Sequence, residues 1–122
     1  MKKTRGVLIS AIIIIVILLI AFILIKNPFS ENAGIKNVTI KNFEFSPSVL
    51  NVKVGTTVVW ENQDSFLHDI TSDAREGSEV GQLFDIDLES GMSGEYIFIE
   101  EGEYAYHCDI HPTMKAKIIV SK

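Results

Sequence analysis

Hydrophobic residues follow two different patterns along this chain of 122 residues. From residue 7 to residue 25 they form one continuous run in which Ser10 is the only polar residue. A helix of that length, rising about 1.5 Å per residue, extends about 28 Å, close to the hydrocarbon thickness of a bilayer. Because Lys2, Lys3 and Arg5 precede the run, we predict a membrane-spanning helix with its N-terminus in the cytoplasm.

The sequence around this run favours a retained signal anchor over a cleaved signal peptide. The run is longer than the apolar core of an ordinary signal peptide, and no Ala-x-Ala cleavage pattern follows it. The stretch from Ser30 to Ala33 is a weak cleavage candidate, so that alternative stays open. We therefore expect a cytoplasmic N-terminus at residues 1–6, a single transmembrane helix at 7–25, a linker at 26–34, and a domain at 35–122 on the outer side of the cell membrane.

After residue 34, apolar and polar residues alternate with a period of two, which is typical of β-strands that bury one face. Turn residues such as Pro47, Gly55 and Gly102 separate the segments. Short strands at this spacing predict an all-β sandwich or barrel. The expected strands are 38–45, 49–54, 56–60, 68–72, 83–88, 94–99, 103–107 and 115–120, with a polar loop at 73–81. The expected core residues are Phe43, Phe45, Trp60, Ile70, Phe84, Phe98, Tyr104 and Ile118.

Charge separates the two regions and narrows the range of partners. All 16 acidic residues lie at or after Glu31, whereas four of the 11 basic residues precede it. The outer domain is therefore strongly acidic, which argues against nucleic acid or anionic lipid headgroups as its partners. The same charge permits electrostatic steering toward a partner with a basic surface, or simply keeps the domain soluble.

The candidate chemistry is concentrated near the C-terminus, in the pattern Cys108-x-x-His111-x-x-Met114. Cys108 is the only cysteine, so it cannot form an intramolecular disulfide, and metal ligation is one reason for an exported domain to carry it. A thiolate, an imidazole and a thioether together suit copper, whereas zinc more often takes cysteine and histidine without methionine. Pro112 predicts that the chain leaves its strand at Cys108 and forms a loop in which the three donors can converge.

A trigonal copper site also needs a second histidine, and only His68 and His107 are available. His107 directly precedes Cys108, and consecutive side chains of a strand point to opposite faces. We therefore predict that His68, far upstream, completes a copper site with Cys108, His111 and Met114, and that His107 is not a ligand.

Three stretches of the domain resemble the cupredoxins, which are small type 1 blue copper proteins that include plastocyanin, pseudoazurin and amicyanin. The stretches are VWENQD at residues 59–64 leading to His68, GEYAYHC at 102–108, and CDIHPTM at 108–114, whose short spacing resembles amicyanin more closely than plastocyanin. The resemblance implies a Greek-key β-sandwich, one copper ion that alternates between Cu(I) and Cu(II), and electron transfer rather than enzymatic catalysis. It also implies that the histidine before the cysteine is not a ligand.

Two positions depart from this resemblance, although neither removes a ligand. Asp69 follows His68 where plastocyanin and amicyanin usually have asparagine, and Leu67 precedes it where proline is common. The backbone N–H of Asp69 can still donate to the Cys108 sulfur, as the resemblance implies. Its side chain adds negative charge near the metal, which we expect to favour Cu(II) and to lower the reduction potential.

Electron transfer requires an exposed contact with the metal, and His111 in its loop suits that role. Ile110 and Pro112 lie beside it, and Phe66 and Leu67 precede the other histidine ligand. We expect these apolar residues either to form a docking patch for redox proteins at the membrane or merely to shield the metal from water.

Three other functions remain open on the sequence alone. The same donors suit copper storage or delivery. Cys108 with His107 or His111 has the residue types of a nucleophilic pair, although Met114 then has no role. A redox-inactive structural sandwich with Cys108 in its core is the third alternative.

Overall fold

The computed structural model of the chain describes residues 12–22, 33–74 and 81–122. Residues 12–22 form an α-helix. Within the three described ranges, no helix is long and apolar enough to cross a membrane. Residues 7–11 and 23–25 of the predicted anchor lie outside these ranges, as do the predicted cytoplasmic terminus and most of the linker. Membrane anchoring therefore stays a prediction.

The rest of the described chain consists of strands and the turns between them, as the alternating pattern predicts. Residues 75–80 of the predicted polar loop lie outside the described ranges. The strands are β1 (Ile35–Lys41), β2 (Glu44–Ser46), β3 (Val49–Lys53), β4 (Thr56–Asn62), β5 (His68–Ser72), β6 (Asp85–Leu88), β7 (Ser93–Phe98), β8 (Gly102–His107) and β9 (Lys115–Ser121).

These strands form the two sheets of a β-sandwich, which confirms the β-sandwich of the predicted fold class but not its transmembrane helix. The four-stranded sheet has the order β2-β1-β4-β7, and the five-stranded sheet has the order β3-β9-β8-β5-β6. Most neighbouring strands are antiparallel, but β1 runs parallel to β4 and β3 runs parallel to β9. Each parallel pair joins strands that are not consecutive in the sequence, so the first strands of the domain are held in place by later ones.

The first predicted strand, residues 38–45, is wrong as a single element. β1 ends at Lys41, the chain turns at Asn42 and Phe43, and β2 returns antiparallel to β1. Asn42 and Phe43 have φ angles of 54° and 60°, in the left-handed region that most L-residues avoid. Apolar and polar residues go on alternating through this turn. The alternation depends on residue type alone, so it does not reveal that the chain reverses direction.

The hydrophobic core contains seven of the eight predicted core residues, each at most 7% exposed. The prediction for Phe43 is wrong, because that side chain is 41% exposed. Its left-handed turn removes it from the alternation of β1 and places it at one end of the sandwich. The seven confirmed core residues are Phe45, Trp60, Ile70, Phe84, Phe98, Tyr104 and Ile118.

Strand pairing brings three connecting segments to that end. The turn after β1 and the loop after β4 lie together because β1 and β4 are parallel. Thr71 of β5 pairs with His107, the last residue of β8, so the first residues of β5 extend past the end of β8. The ring of Phe43, from the first segment, contacts the rings of His68 and His111 from the other two.

Gly94 in β7 allows the two sheets to approach each other closely. A Cβ atom added there would lie 2.6 Å from the Ile86 Cγ2 atom and 3.1 Å from the Leu88 Cδ2 atom, both on β6. We expect Gly94→Ala to lower the free energy of unfolding by about 1–3 kcal/mol, because the added methyl group overpacks this contact. Chemical denaturation of the metal-free protein measures the change. Gly34→Ala, where an added Cβ meets nothing within 4 Å, is the control, and equal losses in the two variants would contradict this account.

Candidate metal centre

Three side chains with metal-binding atoms converge where β5 begins and β8 ends. They belong to His68, Cys108 and His111, and one donor atom from each lies within 4.8 Å of the other two. His68 and Cys108 are fully buried, whereas His111 is half-buried in the loop between β8 and β9. The structure therefore brings together three of the four residues that the sequence predicts as ligands, from segments 40 residues apart.

The distances within this cluster fit a bound metal ion. The Cys108 Sγ atom lies 3.6 Å from the His111 Nδ1 atom and 4.0 Å from the His68 Nδ1 atom. A nitrogen about 2.0 Å and a sulfur about 2.3 Å from one ion are about 3.5–3.7 Å apart at tetrahedral to trigonal angles. Both histidines thus direct the same ring nitrogen toward the sulfur at nearly the required separation.

Met114, the fourth predicted ligand, closes the loop that begins at Cys108. The Cys108 backbone N–H donates to the Met114 carbonyl oxygen at 3.1 Å, and the Met114 N–H donates to the His111 carbonyl at 2.9 Å. Met114 is only 2% exposed. These two hydrogen bonds wrap the chain tightly, so donors three residues apart can serve one site although a straight strand would separate them.

Asp64 fixes the orientation of the His68 ring. Its Oδ2 atom accepts a hydrogen bond from His68 Nε2–H at 2.9 Å, which leaves Nδ1 unprotonated and available to a metal. The same carboxylate accepts the backbone N–H groups of Asn42 and Phe43 at 2.7 and 2.9 Å. Burial opposes ionisation of Asp64, but the hydrogen bonds from Phe43, Asn42 and His68 outweigh it and hold the pKa of Asp64 below its ordinary value of 3.8.

We expect Asp64→Asn to lower the free energy of unfolding by about 1–3 kcal/mol at neutral pH, because charge-assisted hydrogen bonds are lost. Since the folded pKa of Asp64 is lowered, its contribution is present above pH 3.8 and is lost as the pH falls through the folded value. The difference in free energy of unfolding between wild type and variant should therefore become smaller at acidic pH. Denaturant titrations at several pH values measure it, with exposed Glu95→Gln as the control. A difference that does not change with pH would contradict the ionised role of Asp64.

Asp69 lies on the other side of the sulfur. Its backbone N–H donates to the Cys108 Sγ atom at 3.5 Å, as the sequence predicts, and its own Oδ2 atom lies 3.3 Å from that sulfur. Burial raises the pKa of the Cys108 thiol, and the Asp69 carboxylate adds to the increase. Metal binding must therefore displace a proton from this sulfur.

His107 lies outside the cluster, as the alternation of side chains predicts. Its side chain is 28% exposed, and its Nδ1 and Nε2 atoms contact carboxylate oxygens of Asp73 and Asp109 at 2.5 and 2.8 Å. Partial burial alone would lower the pKa of His107, but the hydrogen bonds and charges of Asp109 and Asp73 outweigh it and raise the pKa. Both ring nitrogens are occupied, so His107 ties the ligand loop to the end of β5 and not to the metal.

Exposed apolar side chains lie beside the half-buried His111 ring or next to the ligands in the sequence. The ring of Phe43 lies 4.9 Å from the His111 ring and 5.3 Å from the Phe66 ring, between centroids. Four residues of this group match the patch that the sequence predicts, and Phe43 is an addition from the turn after β1. We call this group the apolar rim; it consists of Phe43, Phe66, Leu67, Ile110 and Pro112, all exposed.

Sequence reasoning missed three residues that build the site: Phe43, Asn62 and Asp64. Asn62 is fully buried, donates to the carbonyl oxygens of Phe66 and Leu88, and accepts the Asp64 N–H. It thereby shapes the loop that leads to His68. The available signal was Asn62-x-Asp64 directly after a strand, since such side chains commonly bond nearby backbone groups in turns.

The two-sheet fold and the cysteine with two histidines at its end have the arrangement of a copper protein of the cupredoxin class. The chain belongs to the cupredoxin-like domain family, whose sequence model matches residues 13–120. It is similar to amicyanin from Paracoccus denitrificans, with 32% identity over 68% of this chain and 63% of amicyanin. The chain thus spans slightly less than two thirds of the length of that relative.

Solved structures show the same relationship. The Cu(I) form of an amicyanin mutant superimposes with a TM-score of 0.64 and 29% identity, over 75% of this chain and 85% of that one. A purple cupredoxin from Nitrosopumilus maritimus gives a TM-score of 0.61 and 36% identity, over 70% of this chain and 98% of that one. Both likenesses cover most of this chain, and the first is to a structure in a Cu(I) form.

Proposed function

We propose that this chain is a membrane-anchored carrier of single electrons that binds one copper ion through His68, Cys108, His111 and Met114. The observation that carries the proposal is the convergence of Cys108 Sγ with two histidine Nδ1 atoms at 3.6 and 4.0 Å. Bound copper would supply a one-electron couple between Cu(I) and Cu(II). The likeness to amicyanin supports electron transfer rather than catalysis.

The residues of the site are suited to hold one geometry in both oxidation states. His68 is held by Asp64, and the loop from Cys108 to Met114 is closed by two backbone hydrogen bonds. Ligands fixed in this way move little when the metal charge changes, so little reorganisation opposes each transfer. Full burial of His68 and Cys108 also favours retention of the metal over its delivery to another protein.

The apolar rim is the proposed docking surface for the redox partner. Its Phe43 ring contacts His111, which is the only ligand of the cluster that reaches the surface among the described residues, so electrons would pass through the edge of the His111 ring. A small apolar contact suits a brief encounter between redox proteins. Because the domain is acidic, we propose a partner with a basic surface at the same membrane, reached while residues 7–25 tether the carrier.

Copper loading of the full chain, solubilised in detergent, tests this function. We expect one Cu(II) per chain with the intense visible absorption of a thiolate-bound copper, a reversible one-electron couple in voltammetry, and slow loss of copper to a chelator. Cys108→Ser should remove the absorption. A colourless copper-loaded protein would refute the electron-transfer proposal, and an irreversible couple with rapid loss to the chelator would favour delivery.

A further inference from the structure

The side chain of Asp69 is a buried carboxylate in contact with the sulfur of the proposed copper site. Asp69 is 3% exposed, and its Oδ2 atom lies 3.3 Å from the Cys108 Sγ atom. In the metal-free protein, the thiol donates its proton to this oxygen. A metal-bound sulfur carries no proton, so the carboxylate and the thiolate then become neighbouring negative charges that a cation must compensate.

The same carboxylate holds the loop that carries the ligands. Its Oδ1 atom accepts hydrogen bonds from the Asp109 N–H at 2.8 Å and from the Thr71 hydroxyl at 2.9 Å. Its Oδ2 atom accepts the Ile110 N–H at 3.2 Å. Burial of a carboxylate lowers the stability of the fold unless hydrogen-bond donors such as these compensate for the lost water. Here three donors surround the carboxylate, and hydrogen bonds of this kind stabilise its ionised form.

We propose that Asp69 is a positioning residue that favours Cu(II) over Cu(I) at this site and holds the ligand loop in place before copper binds. The inference rests on the proposed function. Reduction of Cu(II) adds one electron and removes one positive charge from the site, whereas Asp69 keeps its negative charge. The attraction between metal and carboxylate is therefore stronger in the oxidised state, and it is large at short distance in a buried site.

Asparagine at this position would preserve the backbone hydrogen bond to the sulfur and remove the charge. The Asp69 N–H to Sγ contact does not depend on the side chain, so the comparison isolates the carboxylate. Asp87 provides a matched control, because it lies directly opposite Asp69 in the pairing of β5 with β6 but is exposed. Each substitution removes one negative charge, and only the first removes it from a carboxylate in contact with the sulfur.

The first measurement is a redox titration of the copper-loaded full chain, followed by its visible absorption. At a fixed applied potential, we expect Asp69→Asn to raise the ratio of Cu(I) to Cu(II) at least tenfold relative to wild type. That factor corresponds to about 59 mV for a one-electron couple. Asp87→Asn should change the ratio much less, because solvent and salt screen an exposed charge.

The second measurement needs no copper. Asparagine offers one acceptor oxygen where aspartate offers two, so the N–H groups of Asp109 and Ile110 lose part of their anchor. We expect hydrogen exchange at these two amides to be at least tenfold faster in metal-free Asp69→Asn than in wild type or Asp87→Asn. Asp69→Ser, which is smaller and uncharged, should shift both measurements in the same directions and replaces the asparagine variant if that variant does not fold.

The outcomes separate this inference from the function on which it rests. Equal shifts of the Cu(I) to Cu(II) ratio in Asp69→Asn and Asp87→Asn would overturn the inference, because the shift would then not depend on contact with the sulfur. Unchanged amide exchange at Asp109 and Ile110 would overturn it as well. A wild-type chain that binds no copper would remove the redox role together with the proposed function, whereas a redox-active wild type with indistinguishable variants would remove only the role of Asp69.

Discussion

Replacing His68 with alanine is expected to abolish the intense visible absorption of the copper-loaded protein, whereas alanine at His107 should leave it unchanged. The His68 Nδ1 atom lies 4.0 Å from the Cys108 sulfur and is directed at it. His107 is nearer to Cys108 in the sequence, but its ring nitrogens contact the carboxylates of Asp73 and Asp109. Loss of His68 removes one of the three strong donors and opens the buried site to water, so the copper–thiolate geometry that produces the colour cannot persist.

Absorption and electron paramagnetic resonance spectra of the two variants, loaded with one equivalent of Cu(II), measure this difference. His107→Ala is a demanding control because it changes the residue adjacent to Cys108. Circular dichroism of both metal-free variants establishes that each is folded. If the colour survives in His68→Ala and disappears in folded His107→Ala, the assignment of ligands is wrong.

Replacing Trp60 with alanine is expected to lower the free energy of unfolding of the metal-free protein by about 3–5 kcal/mol. Trp60 is fully buried in β4, and its ring contacts Phe84, Phe98 and Tyr106 at centroid distances of 5.6, 6.5 and 5.6 Å. These partners include strands of both sheets, so the indole fills the space between them. A loss of this size is a large part of the total stability of a small domain, about 5–15 kcal/mol.

Urea denaturation followed by far-ultraviolet circular dichroism measures this loss. Ile97→Ala on the neighbouring strand β7 is the control, because that side chain is 50% exposed and its removal should change stability by no more than about 0.5 kcal/mol. A loss below about 1 kcal/mol in Trp60→Ala would show that the aromatic cluster is not the centre of the core.

Strand patterning and donor chemistry were both predictable from local sequence. A strand that buries one face must alternate apolar and polar residues, so the number and approximate positions of the strands follow from the pattern. The alternation also separates His107 from Cys108, because neighbouring side chains of a strand cannot share one face. The choice of copper rests on the chemistry of thiolate, imidazole and thioether donors, which does not depend on the fold.

The turn at Asn42 and Phe43 was not predictable in the same way. Two consecutive residues with positive φ angles have no glycine to mark them, and Asp64 accepts both of their N–H groups from about twenty residues away. A hydrogen bond of that kind exists only after the strands have paired. Local sequence therefore places Phe43 in a strand and in the core, although the folded domain places it beside His111.

By itself, the sequence determined the β class of the domain, its acidic charge, the donor set around Cys108 and the apolar run at residues 7–25. Each of these follows from residue type and spacing along the chain. Only the tertiary structure decided that His68 lies 4.0 Å from the Cys108 sulfur, that Asp64 orients its ring, and that Asp69 contacts both the sulfur and the ligand loop. These contacts join segments separated by up to about forty residues, and their distances depend on strand register and loop conformation, which residue spacing does not specify.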